Sequence, residues 1–246
     1  MFITKDYPNS IGDYKREAKA QLTDRWKSVI FLNLIPIIAY VGYELINSQF
    51  ATTVENGDNT SFFVDLFVST GGSSLVFDLL IYFFTTGVMF ATVDFVTKRD
   101  YKIRPLEDAL QIFKDYEAIY FIKVYLLQML YTFLWFLLFI IPGLIKRLSY
   151  SQTELVYKDY KELGKELTAN EAITISRQMM DGHKMELFIL YLSFIGWYLL
   201  QLVTFGLSMF YSTPYINTTK AVFYRKISLE YFEREGITRE IVNEAI

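Results

Sequence analysis

The chain alternates stretches too apolar for water with stretches too charged for lipid, and the lengths of the apolar stretches restrict what it can become. Crossing about 30 Å of hydrocarbon takes roughly 17–25 mainly apolar residues. Residues 28–46, 75–96 and 118–141 each reach that length. Residues 187–224 run about twice as long, and Gln201, Thr204 and Gly206 near the middle predict a tight hairpin between spans over 187–201 and 206–224. A further candidate, 143–157, reads GLIKRLSYSQTELVY and carries Lys146, Arg147 and Glu154. Because charged stretches separate these blocks, a sequence that is 52% hydrophobic and 18% aromatic has a mean hydropathy of only +0.23. Residues 1–27 are mostly polar, so the first block is expected to stay in the protein as an anchor and not to be cleaved as a leader.

Basic residues orient the spans, because cytoplasmic loops of membrane proteins concentrate Lys and Arg. Of the 24 basic residues, all but Lys146, Arg147 and Lys220 fall in four segments: before the first span, from the end of the second span to Lys123 in the first turns of the third, over 158–184, and after residue 224. Placing all four in the cytoplasm puts both termini inside and gives six crossings. The 47–74 loop then lies outside, and it carries Glu55, Asp58 and Asp65 but no Lys or Arg. The expected organisation is a cytoplasmic helix over 1–27, one transmembrane domain over 28–227 and a cytoplasmic tail over 228–246. Lys220 is close enough to a cytoplasmic helix end to snorkel.

Pro142-Gly143 predicts a sharp reversal or a strong kink after the third block, since proline removes a backbone donor and glycine frees the next torsion; the alternative to a reversal is a long broken helix that enters the membrane only in part. Each cytoplasmic segment leads into its span through an amphipathic helix. Ile11, Ala18, Leu22 and Trp26 share a helical stripe, as do Leu106, Ala109, Leu110 and Phe113, and Ala172, Ile175 and Met179. Thr168 precedes Glu171 at capping-box spacing. Gln21-Leu22, Gln111-Ile112 and Gln178-Met179 occupy similar places ahead of a hairpin, a hint of a threefold internal repeat. The fold class read from these patterns is all-α: a multi-pass helical membrane protein with about six transmembrane helices in hairpins and three interfacial amphipathic helices.

Three longer runs, IIPGLIKRLSYSQTELVYKD, SRQMMDGHKMELFILYLSFIGWYLL and TPYINTTKAVFYRKI, resemble an uncharacterised bacterial family of integral membrane proteins, domain of unknown function 975. The resemblance extends from about residue 11 to 227 and is strongest after 139. It implies a multi-pass protein of the cytoplasmic membrane, and carries with it no activity, cofactor or substrate.

The composition removes much chemistry. With no cysteine there are no disulfides, thiolate metal sites or cysteine nucleophiles, and His183 is the single histidine. A net charge of −3 without a concentrated basic face argues against nucleic acid. Asp78 and Asp94 cannot form an aspartyl dyad, lying on one helix about 24 Å apart at a 1.5 Å rise per residue. His183 is remote from Ser193, and the STGGSS run over 69–74 lacks the Lys of a phosphate loop. No catalytic residue, cofactor or metal ligand is therefore expected, and His183 reads as a plain interfacial residue. The candidate site is a polar intramembrane cluster of Asp78, Asp94, Arg147, Ser151, Glu154, Tyr215 and Asn217. An ionisable group at a span centre costs about 2.5–3.5 kcal/mol unless paired or wet. Two uses fit such a cluster. One is a cavity for a headgroup, peptide or ion, and the other is a set of helix-orienting contacts in which Arg147 pairs with Glu154 or Asp78. The function expected is correspondingly either a non-enzymatic interaction or envelope-maintenance protein, or a small carrier. Its partners would be membrane lipids, anionic at the inner leaflet, and another membrane protein.

Overall fold

The structure is a computed structural model that describes residues 10–23, 25–55, 72–98 and 100–237. Most of the expected outer loop, the STGGSS run up to residue 71, and the tail beyond 237 lie outside the described residues. The described residues contain helices and no strands. In chain order these are α1 (Ile11–Leu22), α2 (Trp26–Glu55), α3 (Gly72–Thr97), α4 (Pro105–Ala109), α5 (Gln111–Asp115) and α6 (Ala118–Leu138). There follow α7 (Ile140–Tyr150), α8 (Thr153–Glu162), α9 (Ala169–Met179), α10 (Lys184–Leu192), α11 (Ile195–Val203) and α12 (Met209–Arg234).

Among the described residues, four stretches are long and apolar enough to cross a membrane: Trp26–Tyr43, Val76–Thr97, Ala118–Leu138 and Lys184–Val203. They belong to three antiparallel hairpins. In the first, α2 packs on α3, with Tyr43 stacked on Phe77 at 3.7 Å near one end and Leu32 packed with Val88 and Ala91 nearer the other. In the second, α7 and α8 together retrace α6. The Lys146 ammonium lies 4.4 Å from the Trp135 ring, the Gln128 amide donates to the Tyr150 carbonyl at 3.4 Å, and Tyr120 stacks on Tyr157 at 3.7 Å. In the third, α12 retraces α10 and α11, from the Gln201 amide donating to the Ser212 hydroxyl (2.7 Å) down to His183 beside Glu230 (3.2 Å). Residues 143–157 are thus not one helix but parts of two, separated at Ser151–Gln152. The expected span over 206–224 becomes a helix that begins at Met209 and continues to Arg234, past the expected boundary at 227.

The second hairpin turns three residues before Pro142-Gly143. Phe139 is extended (φ −160°, ψ 149°), and α7 begins immediately after it. Pro142 falls in the first turn of α7, where a missing N–H costs little. Gly143 meets Phe136, and a Cβ there would come within 2.6 Å of the ring. The Pro-Gly pair therefore starts and seats the returning helix instead of making the turn. In the third hairpin the turn passes through Phe205 and Gly206, both at positive φ (49° and 85°).

The short helices clasp the hairpins near their charged ends. α4 packs on α2 and α3, α9 packs on α6, α7 and α8, and α1 packs on α12 and α10. Tyr14, Ala18 and Leu22 of α1 are fully buried, as are Ala172 and Met179 of α9 to within 2%. The middle amphipathic helix differs from its expected stripe. It breaks at Leu110 (φ −97°, ψ 2°), which rotates its two halves so that Ala109 and Ile112 face the core while Leu106 and Phe113 are exposed. At its contact with α3, a Cβ on Gly87 would meet the Ala109 carbonyl oxygen at 2.4 Å, and the Gln111 amide donates to the Gly87 carbonyl at 2.9 Å. The opposite ends of hairpins two and three are apolar and exposed, with Phe139 at 73% and Phe205 at 98%.

Candidate functional site

Two of the hairpin arms are interrupted, each near the middle of its apolar stretch. Gln128 is the midpoint of Ala118–Leu138 and pairs with the α7–α8 break, while the α10–α11 break at Ser193–Phe194 is the midpoint of Lys184–Val203. A broken helix frees backbone groups that water cannot reach inside lipid, so the protein must supply their partners. Ser176 of α9 does this at the first break: its hydroxyl donates to the Ser149 carbonyl (2.9 Å) and accepts from the Gln152 N–H (3.3 Å). Lys15 of α1 donates to the Ser193 carbonyl (3.0 Å) at the second, and its ammonium also lies 4.7 Å from the Phe194 ring.

Beside the α7–α8 break is a cavity of about 260 Å³. Tyr82, Thr85 and Thr86 of α3 line it, with Ser151 and Gln152 from the break, Glu154 of α8, Tyr191 of α10, and Asn217 and Lys220 of α12; apolar walls come from Met89, Phe90, Leu155, Leu187 and Phe223. The Glu154 carboxylate accepts from the Tyr82 hydroxyl (2.9 Å) and the Gln128 amide (3.0 Å), both on Oε1. Asn217 donates to Asn33 Oδ1 (2.7 Å), which joins α12 to α2 and fixes the amide at the cavity wall. The Lys220 ammonium lies 5.1 Å from the Tyr191 ring centroid. Among the described residues, no cation lies within ion-pair distance of Glu154 and no carboxylate within that distance of Lys220.

Of the seven residues singled out from the sequence, the structure brings Ser151, Glu154 and Asn217 to this cavity and separates the other four from it. Asp78 is exposed toward the far end of α3. Arg147 is exposed on α7 with no ion-pair partner among the described residues; the break after Tyr150 interrupts the continuous helical face it was expected to share with Ser151 and Glu154. Tyr215 is buried among Phe194 and Trp197. Asp94 joins a separate ionic cluster near the clasped end, accepting from Lys158 (2.6 Å) and Lys98 (3.0 Å), with Glu162 contacting the same two lysines. Burial alone would push the Lys158 ammonium down, but Asp94 and Glu162 outweigh it and hold it above the ordinary lysine value.

The residues that sequence reasoning missed are Tyr82, Gln128 and Lys220. Tyrosine and glutamine inside apolar blocks are too ordinary to signal a site, and Lys220 had an adequate explanation as a snorkelling residue. His183 also proves more connected than its expected place suggested: Nδ1 lies 3.0 Å from Glu186 Oε2, and Nε2 lies 3.2 Å from Glu230. Glu186 in turn accepts from Tyr14 (2.5 Å) and Lys226 (3.2 Å), so one carboxylate ties α1, α10 and α12 together. Among the described residues no group of three or more His, Asp or Glu is arranged to hold a metal ion.

Residues 136–230, from the end of α6 through most of α12, match a family described as protein of unknown function (DUF975). No curated protein and no solved structure matches the chain.

Proposed function

We propose, for a chain that carries the domain of unknown function 975 over residues 136–230, an integral protein of the bacterial cytoplasmic membrane that holds a small polar ligand at mid-membrane depth and does not transform it. It crosses the bilayer six times with both termini inside, α7–α8 and α12 completing the hairpins begun by α6 and α10–α11. The observation that carries the reading is a cavity at the α7–α8 interruption, lined by an acidic and a basic side chain that are not paired with each other. Secondary carriers build their sites from discontinuous helices near the bilayer centre, where unwound backbone and ionisable side chains face a ligand. Glu154 is held from one side by the Tyr82 hydroxyl and the Gln128 amide, an arrangement that presents a fixed carboxylate to a ligand.

The alternative of a lipid-binding interaction protein draws on its basic helices, each surface Lys or Arg adding about 1 kcal/mol toward anionic lipid. On α1, however, Lys15 turns to the Ser193 carbonyl and the Phe194 ring, which leaves that helix less charge for the leaflet.

Two measurements test the proposal. Because the chain has no cysteine, single cysteines at Lys161 and Arg234 report the inner side; both should resist an impermeant maleimide added to intact cells and react after permeabilisation. In lipid nanodiscs, a broad panel of small polar compounds should contain at least one that raises the melting temperature of the wild type. Labelling from outside, or a flat response across the panel, overturns the topology or the ligand site respectively.

A further inference from the structure

Glu154 and Lys220 impose a condition on anything that occupies the cavity. Each is an ionisable group lining a cavity at the mid-height of the hairpins, and each lacks an oppositely charged side chain within ion-pair distance among the described residues. They do not pair with each other, although they border the same space. Uncompensated charge in such surroundings costs several kcal/mol. A simple anion would satisfy Lys220 and leave Glu154 facing more negative charge, and a simple cation would do the reverse. A ligand with an ammonium at one end and an anionic group at the other satisfies both.

The remaining walls fit that requirement. Tyr82 and Gln128 both donate to Oε1 of Glu154, fixing the direction in which the carboxylate presents itself. Asn217, held by Asn33, adds a fixed amide to the wall. Met89, Phe90, Leu155, Leu187 and Phe223 supply an apolar surface for a hydrocarbon side chain. At about 30 Å³ per water, the cavity of about 260 Å³ has room for roughly eight waters, the scale of a single amino acid and not of a peptide chain.

We propose that the cavity binds a small zwitterion, with its ammonium on Glu154 and its anionic group on Lys220. The proposal rests on the ligand-site reading above and assigns the ligand's chemical class. Two sources share that chemistry: a free amino acid from the aqueous phase, and the amine-bearing zwitterionic headgroup of a membrane lipid.

The test uses the full chain in nanodiscs made of phosphatidylglycerol alone, with thermal unfolding as the readout. Alanine and leucine are compared with isovalerate and isoamylamine, which carry one charge each. The expected result is a rise in melting temperature with leucine that neither single-charge compound reproduces, and at least a tenfold loss of leucine affinity in Glu154→Gln and in Lys220→Met. The ligand-free melting temperature of each variant separates lost binding from lost folding, and the wild-type panel decides the matter even if a variant unfolds. A second set of discs containing phosphatidylethanolamine distinguishes the sources: stabilisation by that lipid together with loss of the leucine response assigns the headgroup, and an unchanged leucine response assigns the free amino acid. Equal responses to leucine, isovalerate and isoamylamine overturn the zwitterion while leaving a ligand site in place. No response to any compound or lipid overturns both.

Discussion

Gly87 leaves no room for even one extra carbon, because the Ala109 carbonyl oxygen occupies the place where a Cβ would be. The obstacle is backbone, which cannot rotate aside as a side chain can, so α4 must move off the first hairpin to admit a methyl group. Gly87→Ala is expected to lower stability by about 1–3 kcal/mol, the usual cost of overpacking, measurable as a drop in melting temperature in detergent. The ionic cluster around Asp94 makes a graded prediction. Lys158 is almost fully buried between two carboxylates, whereas Lys98 touches the same pair with 40% of its side chain exposed. Lys158→Met should cost about 3–5 kcal/mol, as expected when one partner of a buried pair is removed, and Lys98→Met about 0–1 kcal/mol. Equal effects would mean that the buried geometry does not set the energy. At this scale the sequence made part of the site legible. Polar groups inside apolar blocks pointed to Glu154, Ser151 and Asn217, since lipid penalises them individually. It could not show that Asp94 meets Lys158, 64 positions away, because nothing local requires that pairing.

Among the elements, the interruptions are the informative departures from the sequence reading. Apolar length and the Pro-Gly pair pointed to a second hairpin turning at residue 142, or else to a long helix kinked there, and neither reading located the interruption in the returning arm. The break at Ser151–Gln152 has no proline or glycine to announce it. It persists because Ser176, from a helix elsewhere in the chain, bonds to both sides of the gap. Ser176→Ala should therefore cost about 1–3 kcal/mol, the penalty for two buried backbone groups losing a partner, although nothing larger than a hydroxyl is removed. Amide hydrogen exchange should quicken at Gln152 in that variant before it quickens elsewhere in α8. The capping box opening α9 was legible, since Thr168 and Glu171 stand at fixed spacing and bond reciprocally in the structure. The backbone N–H of Thr168, and then its hydroxyl, hold the Glu171 carboxylate below its ordinary 4.5. A lowered carboxylate contributes fully above its unfolded value and fades as pH falls through the folded one. Protection from exchange in the first turn of α9, taken relative to the intrinsic rate at each pH, should accordingly fall in mild acid, and Glu171→Gln should remove that pH dependence.

Taken as a whole molecule, the three hairpins follow one plan with an offset. α4 and α9 each clasp the hairpin that precedes them in the chain, while the third hairpin, which has no such helix described after it, is clasped by α1. The similarity of the three amphipathic segments hinted at repetition, but not that the first copy would serve the last hairpin. That assignment depends on contacts such as Glu17 with Arg225 (3.6 Å) and Tyr14 with Glu186, between residues far apart in sequence. Cysteines at Glu17 and Arg225 should be joined efficiently by a short bifunctional maleimide in membranes, giving a band of altered mobility; no such band would separate α1 from the third hairpin. The same docking dictates a schedule for the ribosome. Because α1 is translated well before α12, Tyr14, Ala18 and Leu22 wait unsheltered until α12 has been threaded in, so termination between the two leaves a nascent product with an open seam for quality-control proteases to grasp.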